Sequence, residues 1–337
     1  YAALSAPAVR ETSREDLAEL GRTLLGPVAD KLEGRRLAVV AGGALQYIPF
    51  AALPDPRTGE PLVEAREVVT LPSAAVLAEL RRNAGGRRQP ALDLAVLADP
   101  VFDPGDPRLA LAHRTTPAPA LKTAALNPDL TRSARDVGSA GFERLSWTRR
   151  EAEAIVAQAG ARRVLTALDF EASRETATGP AVAGARVVHF ATHGFLNSET
   201  PELSGLVLSL VDREGNPTDG FLRLHDVYAL SLAADLVVLS GCRTALGKEV
   251  RGEGLLGLTR GFFYAGAPRV MASLWPVRDR ATAELMQRFY RGLLRDGLPP
   301  AAALRAAQRS LRREPRWRDP YYWAPFVIQG DWQAATP

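Results

Sequence analysis

The chain has 337 residues, 46% hydrophobic and 24% charged, with a formal net charge of +4. That is enough apolar material for one large core or two modest ones. A nucleic-acid-binding domain would show a concentrated basic stretch, and none is present. The single cysteine excludes an internal disulfide and fits a reducing environment. With neither a signal peptide nor an apolar run of about 18 residues, the sequence predicts a cytoplasmic protein with no membrane span.

The first hundred residues alternate helical and extended patterns. Leucines at helical spacing predict a helix over 13–31, kinked at Pro27. Ser73 is placed to cap a second helix that runs to about Leu80. Short apolar runs predict strands at 36–41, 67–71 and 91–97, with a further apolar run at 45–50. The chain begins with Tyr1 rather than Met, so we expect it to be a piece of a longer protein.

Residues 100–146 have a different character. Prolines lie among Ala, Thr and Asp there, with little periodicity. This composition predicts a loop or linker longer than compact domains usually contain. It is either a plain surface loop or a loop for regulated cleavage or docking.

Regular patterns return at Trp147. Thr148 and Glu151 have the spacing of a capping box at the start of a helix. Helices are predicted over 148–158, 170–177, 224–230, 253–265, 279–295 and 300–313. Strands are predicted over 164–165, 186–190, 206–211, 235–240, 269–275 and 323–328. This alternation predicts a mostly parallel α/β sheet, and it divides the chain into an N-terminal region, 1–146, and a second region, 147–337.

Two of the predicted strands end in reactive side chains. The strand RVVHF, 186–190, is followed shortly by His193 and Gly194. The strand DLVVLS, 235–240, is followed by Gly241 and by Cys242, the only cysteine. Both strands are continuously apolar, which is typical of buried parallel strands. Because chemistry in such sheets collects beyond the carboxyl ends of the strands, we expect these side chains to lie close together. The gap of about 50 positions is the one caspases show between their His and Cys.

These residues fit the chemistry of a cysteine peptidase. His193 can lower the pKa of the Cys242 thiol, and the backbone N–H groups of Gly194 and Cys242 can hold an oxyanion. The competing interpretation is a buried, inert thiol beside a structural histidine. Of the other histidines, His189 is predicted to be a hydrogen-bonded core residue, and His113 and His225 to lie on the surface. Their spacing gives no metal site, and no cofactor is expected.

Several ordered blocks resemble the CHAT family of caspase-like cysteine peptidases, which are often fused to TPR repeats and are related to separases. They are HFATHGFLN, LVVLSGCRTALG, GEGLLGLTRGFFYAGA, VMASLWPVRDRAT and YYWAPFVIQG, with IPFAAL and LPSAAVL upstream. The resemblance implies a caspase-hemoglobinase fold with helices on both faces of the sheet. It also implies a catalytic dyad of His193 and Cys242, with residues 30–100 as an inert caspase-like half. Many members have Ser-Ala-Cys where this chain has Ser240-Gly241-Cys242.

The resemblance also shapes what we expect of function. The expected activity is that of an endopeptidase kept latent until a partner or a processing event activates it. Trp275 and Ser273 are expected at the substrate-binding site, with Asp279 facing a P1 Arg or Lys; Asp279 could instead cap the helix that begins there. The expected partners are a protein substrate, gasdermin-like or another effector, and a TPR region before Tyr1. The alternative is a non-catalytic CHAT-like interaction scaffold.

Overall fold

The computed structural model of the chain describes residues 12–34, 36–112, 128–136, 142–195, 200–243, 254–275 and 279–333. The strands in these ranges are β1 (Leu37–Val39), β2 (Val68–Thr70), β3 (Leu92–Pro100), β4 (Val164–Asp169), β5 (Ala185–Ala191), β6 (Gly194–Phe195), β7 (Gly205–Val207), β8 (Phe221–Arg223), β9 (Leu236–Leu239), β10 (Cys242–Arg243), β11 (Arg269–Ser273) and β12 (Phe326–Gly330). The helices are α1 (Thr12–Leu25), α2 (Leu62–Ala65), α3 (Ala74–Arg82), α4 (Pro107–Ala112), α5 (Pro128–Asp136), α6 (Ser146–Ala159), α7 (Arg174–Thr178), α8 (Pro180–Ala183), α9 (Leu224–Ala229), α10 (Gly254–Tyr264), α11 (Asp279–Tyr290), α12 (Pro300–Arg312) and α13 (Pro320–Trp323).

The chain forms two compact units. The first consists of Tyr1–Gly85 together with Met271–Pro337, and the second of Gly86–Val270. The boundary predicted from sequence at residue 146 was expected to separate an inert caspase-like region from a catalytic one, and the division into compact units does not test that expectation. That boundary, the inert half and the placing of helices on both sheet faces therefore stay predictions.

The first unit is built on a parallel sheet. Its strand order is β1, β2, β12 and β11, the last three residues of β11 belonging to this unit. Leu37 pairs with Val68 in parallel, and β12 joins β2 in parallel through Gln329 and Thr70. A cluster of buried side chains beneath α1 forms its core: Leu25, Leu32, Phe50, Leu53 and Leu62. The predicted strands at 36–41 and 67–71 are thus confirmed, each shorter than predicted.

Local signals set the helices of this unit. The α-helix α1 ends at Leu25, and a 3₁₀ helix continues through Pro27, whose ring cannot continue an α-helix without losing a hydrogen bond. Ser73 caps α3, its hydroxyl accepting from the N–H of Val76 at 3.1 Å. The apolar run at 45–50 forms 3₁₀ turns rather than a strand. Gly43, with a φ of +57°, turns the chain there.

The second unit contains the parallel sheet that carries His193. Its strand order is β9, β5, β3 and β4, and each neighbouring pair in that order is parallel. His189 of β5 lies between Val96 of β3 and Val238 of β9. Nearly every residue of β3, β5 and β9 is buried, which explains why these strands read as continuous apolar runs. The mostly parallel α/β architecture is therefore confirmed.

A small second sheet lies beyond the ends of these strands. Its order is β10, β6, β7 and β8. The pairing of β10 with β6 is parallel, whereas β7 pairs antiparallel with both β6 and β8. Gly205 of β7 faces β8 at close range, since a Cβ there would lie 2.4 Å from the oxygen of Leu222. The sequence did not separate this sheet from the main one.

Two expectations for the middle of the chain need correction. The stretch 100–146 is not all loop, because it contains α4 and α5; residues 113–127 and 137–141 lie outside the described part. The capping box is also wrong. Helix α6 begins at Ser146, and the Thr148 hydroxyl donates to the carbonyl of Leu145 at 2.7 Å. Glu151 is consequently placed on the buried face of the helix.

Candidate active site

The two strand ends that the sequence singled out meet in the second unit. Thr192 and His193 connect β5 to β6, and Ser240 and Gly241 connect β9 to β10. In the parallel pair of β6 with β10, Cys242 lies opposite Gly194. Paired strands are separated by roughly 4.8 Å, so the backbone of Cys242 adjoins the residue that follows His193. The side chain of Cys242 lies outside the described part of the chain.

Gly241 has a steric role in this approach. A Cβ at this position would lie 2.2 Å from the carbonyl oxygen of Thr192, and 2.8 and 2.9 Å from its carbon and nitrogen. Only glycine fits so close to a neighbouring backbone without a shift of the chain. In this chain the glycine therefore allows the two strand ends to touch.

His193 is held by contacts that the sequence did not predict. Its side chain is buried, with the residue 3% exposed, and its Nε2 lies 2.7 Å from the carbonyl oxygen of Glu143. Since a carbonyl only accepts, Nε2 carries the proton and Nδ1 is the basic nitrogen of the neutral ring. The rings of Phe102 and Phe142 pack against the imidazole, with centroid distances of 5.1 and 5.9 Å.

An ion-pair cluster anchors the segment that contains Glu143. The next residue, Arg144, donates two hydrogen bonds to the buried carboxylate of Asp99, at 2.8 and 2.6 Å. Arg149 of α6 donates to the same carboxylate at 2.8 Å. Asp99 is the last residue but one of β3 and has a φ of +50°, in the left-handed region. The end of one central strand thereby fixes the segment that holds His193.

Asp169, at the end of the neighbouring strand β4, extends this cluster. Burial alone would raise its pKa, but hydrogen bonds from Arg149 and Arg108 outweigh that effect, so the pKa of Asp169 lies below its usual value of 3.8. The attraction between Asp169 and the two arginines is therefore strongest when Asp169 is ionised.

His189 forms a second polar group inside the sheet. It is fully buried, and its Nε2 lies 2.9 Å from Oε1 of Glu151, itself 2% exposed. The Ser240 hydroxyl oxygen lies 3.4 Å from the same nitrogen. The prediction of a hydrogen-bonded core histidine is confirmed. The side chain of His225 is 68% exposed, as predicted for a surface residue, and His113 lies outside the described residues.

The predicted substrate-binding residues belong to the first unit. Ser273 and Trp275 are buried; the Ser273 hydroxyl donates to the carbonyl of Trp275, whose indole N–H donates to the carbonyl of Tyr321 at 3.1 Å. Asp279 is the first residue of α11, and its side chain lies outside the described part, so the capping alternative also stays a prediction. Their role in substrate binding stays a prediction.

The described residues were compared with the requirements of a metal site and of a membrane-spanning helix. No group of three or more His, Cys, Asp or Glu side chains among them is arranged to hold a metal ion. None of the helices in the described ranges has both the length and the apolar character needed to cross a bilayer.

Comparisons with known structures define the class of fold. A chain of the Saccharomyces cerevisiae separase–securin complex superimposes over 88% of this chain with a TM-score of 0.51, at 12% sequence identity and over 15% of that chain. At this identity the likeness speaks for the fold alone. It supports the caspase-like α/β architecture expected from the sequence.

The family follows from the sequence match. Residues 14–331 match the CHAT domain, so the chain belongs to the CHAT domain family. It is 29% identical over 321 residues to tetratricopeptide repeat protein 28 of Homo sapiens and 26% identical over 345 residues to the Mus musculus protein of that name. In both cases the match covers 90% of this chain but only 12% of the relative.

Proposed function

We propose that the chain is a cysteine endopeptidase in which Cys242 is the nucleophile and His193 the general base. The observation that carries the proposal is the pairing of β6 with β10, which sets Cys242 opposite Gly194 at the carboxyl ends of β5 and β9. Membership of the CHAT family and the separase-like fold support it. The proposed setting is the cytoplasm, and no cofactor is required.

The reaction divides into two transfers. Glu143 holds the Nε2 proton of His193, so Nδ1 accepts the proton of the Cys242 thiol. The thiolate attacks the peptide carbonyl, and the N–H groups of Gly194 and Cys242 stabilise the oxyanion. His193 then gives its proton to the leaving amine, which departs as the acyl-enzyme forms. A water molecule, deprotonated by His193, attacks the thioester, and the carboxylic acid product and free thiol are released.

The proposed specificity is for a basic residue at P1. Asp279 begins α11, after Ser273 and Trp275 of the same unit. A carboxylate at the floor of a pocket pairs with the guanidinium of Arg through two hydrogen bonds, and more weakly with Lys. An acidic or apolar P1 residue would leave that carboxylate desolvated without a partner, which disfavours it.

The proposed partners follow from the relatives. Two relatives are named for tetratricopeptide repeats, and this chain spans 12% of their length. A TPR region that recruits the substrate or the activator is therefore part of the proposal. The substrate is a protein, gasdermin-like or another effector, cut on the carboxyl side of Arg or Lys.

One observation favours a second candidate function. His193 is only 3% exposed, with its ring packed against those of Phe102 and Phe142. A histidine held in this way would also suit a CHAT domain that binds a partner without cleaving it. The peptidase proposal explains the burial as latency. In that case His193 cannot act as the base on a bound substrate until the protease is activated.

Covalent labelling tests the proposal directly. A peptidyl acyloxymethyl ketone with P1 Arg should alkylate Cys242, and intact-mass measurement assigns the site because the chain has one cysteine. Cys242→Ala is the control. The matching P1 Asp reagent should react at least about tenfold more slowly, and Asp279→Ala should remove that preference, one charge-assisted hydrogen bond being worth about 1.5–3 kcal/mol. A P1 Asp preference in the wild type would remove Asp279 from the pocket, and absence of labelling by either reagent even after limited proteolysis would favour the scaffold.

A further inference from the structure

The two strands that end in the proposed dyad are also linked by a buried polar chain. The Nε2 nitrogen of His189 lies 2.9 Å from Oε1 of Glu151 and 3.4 Å from Oγ of Ser240. The Ser240 hydroxyl in turn lies 3.5 Å from the carbonyl oxygen of Phe190. A carboxylate only accepts, so the Nε2 proton points to Glu151, with the Ser240 oxygen beside it. The Ser240 hydroxyl donates its hydrogen bond to the carbonyl oxygen of Phe190.

The position of this chain within the fold is specific. His189 lies four residues before His193 on β5, and Ser240 lies two residues before Cys242, just past β9. Glu151 belongs to α6, the helix that directly follows the segment holding the His193 imidazole. All three residues are at most 5% exposed, and their neighbours in the strands are apolar. Burying polar groups there costs free energy unless each of them has a hydrogen-bond partner.

We propose that Glu151, His189 and Ser240 are positioning residues that set the register between the strand end bearing His193 and the one bearing Cys242. The backbone ladder between β5 and β9 ends at the hydrogen bond from Ser240 N–H to Phe190 O, 3.0 Å. Between that bond and the pairing of β6 with β10, the ends are held by the Ser240 hydroxyl and by the contact of Gly241 with Thr192. The polar chain ties these ends to α6. The proposal rests on the proposed function for its catalytic consequence.

The test compares two disrupting variants with two controls. Ser240→Ala removes one oxygen, and Glu151→Leu removes the acceptor at similar size. Glu151→Gln keeps an acceptor oxygen and should restore the geometry. Ser173→Ala is the matched control, since this serine caps α7 and accepts from Thr176 N–H at 3.1 Å within the same unit. Each variant is assayed for kcat and KM on a fluorogenic peptide with P1 Arg, for the rate of Cys242 alkylation by iodoacetamide, and for Tm.

A positioning role predicts a particular combination of results. Ser240→Ala and Glu151→Leu should lower kcat by about 10- to 100-fold with KM nearly unchanged, because small misplacements of reacting groups cost rates of this order. The iodoacetamide rate should change at least about threefold. Glu151→Gln should stay within about threefold of wild type in both rates. Ser173→Ala should lower Tm alone.

The outcomes separate this inference from the proposed function. If the wild type does not cleave the peptide but the iodoacetamide rate responds to Ser240→Ala, the proposed function fails and the positioning role stands. If the wild type cleaves and Ser240→Ala changes only Tm, the positioning role is wrong. If Cys242 of the folded wild type is not alkylated at all, both are overturned. Should Glu151→Leu fail to fold, Ser240→Ala decides alone.

Discussion

His193 is buried, and this changes what its removal should do. Cys242→Ala and His193→Ala are both expected to abolish peptide cleavage. His193→Ala should in addition lower the free energy of unfolding by about 2–3 kcal/mol, since it leaves the Glu143 carbonyl without its donor and opens a gap beside Phe102. Urea denaturation and a peptide-cleavage assay measure the two effects. A His193→Ala protein as stable as the wild type would contradict the packing described here.

At this scale the sequence predicts some contacts and misses others for physical reasons. The core role of His189 is predictable because the residue lies inside a continuous apolar strand, where a polar ring needs a hydrogen-bond partner. The role of Glu143 is not, because it acts through a backbone carbonyl that any residue would supply. The capping-box prediction for Glu151 is wrong because the helix begins at Ser146, two residues before Thr148. With α6 beginning at Ser146, its buried face contains Glu151 with Ile155, one turn on, so the carboxylate turns inward to His189.

The ends of β3 and β4 make the second unit sensitive to acid. The folded state holds the pKa of Asp169 below its usual 3.8 through hydrogen bonds from Arg149 and Arg108. A group with a depressed folded pKa contributes its stabilisation fully above its unfolded pKa, and that contribution is lost as the pH falls through the lower, folded value. Urea midpoints should therefore drop as the pH falls below 3.8. Asp169→Asn should show a shallower drop, and identical pH profiles for the two proteins would count against the cluster.

Elements differ in how well the sequence predicts them. The strands of the second unit are found from sequence because burial on both faces leaves continuous apolar runs in β3, β5 and β9. The strands of the small sheet are two or three residues long, and only β7 was predicted, within a longer run over 206–211; β6, β8 and β10 are too short to leave a pattern. The helices α4 and α5 were missed because neighbouring prolines were taken as a sign of loop. Proline is well tolerated at the first position of a helix, where both have it.

For the whole molecule the buried His193 predicts latency. The chain alone should cleave a P1 Arg peptide with kcat/KM well below about 10⁴ M⁻¹ s⁻¹, the low end for enzymes. Brief digestion with thermolysin, stopped with EDTA, should raise that value if a restraint on His193 is cut. Cys242→Ala, treated in the same way, gives the background rate. Full turnover by the untreated chain would show that the burial of His193 does not restrain it.

The interleaving of the two units has a consequence for the order in which they are made. The unit that carries His193 and Cys242 spans Gly86–Val270, so all of its internal contacts can form as soon as Val270 has left the ribosome. The first unit must wait for Met271–Pro337, which includes β12 and helices α11 to α13. At about 5–20 residues per second, that delay lasts roughly 3–13 s. During synthesis the chain therefore passes through a stage at which the candidate catalytic unit is complete while the unit bearing Asp279 is not.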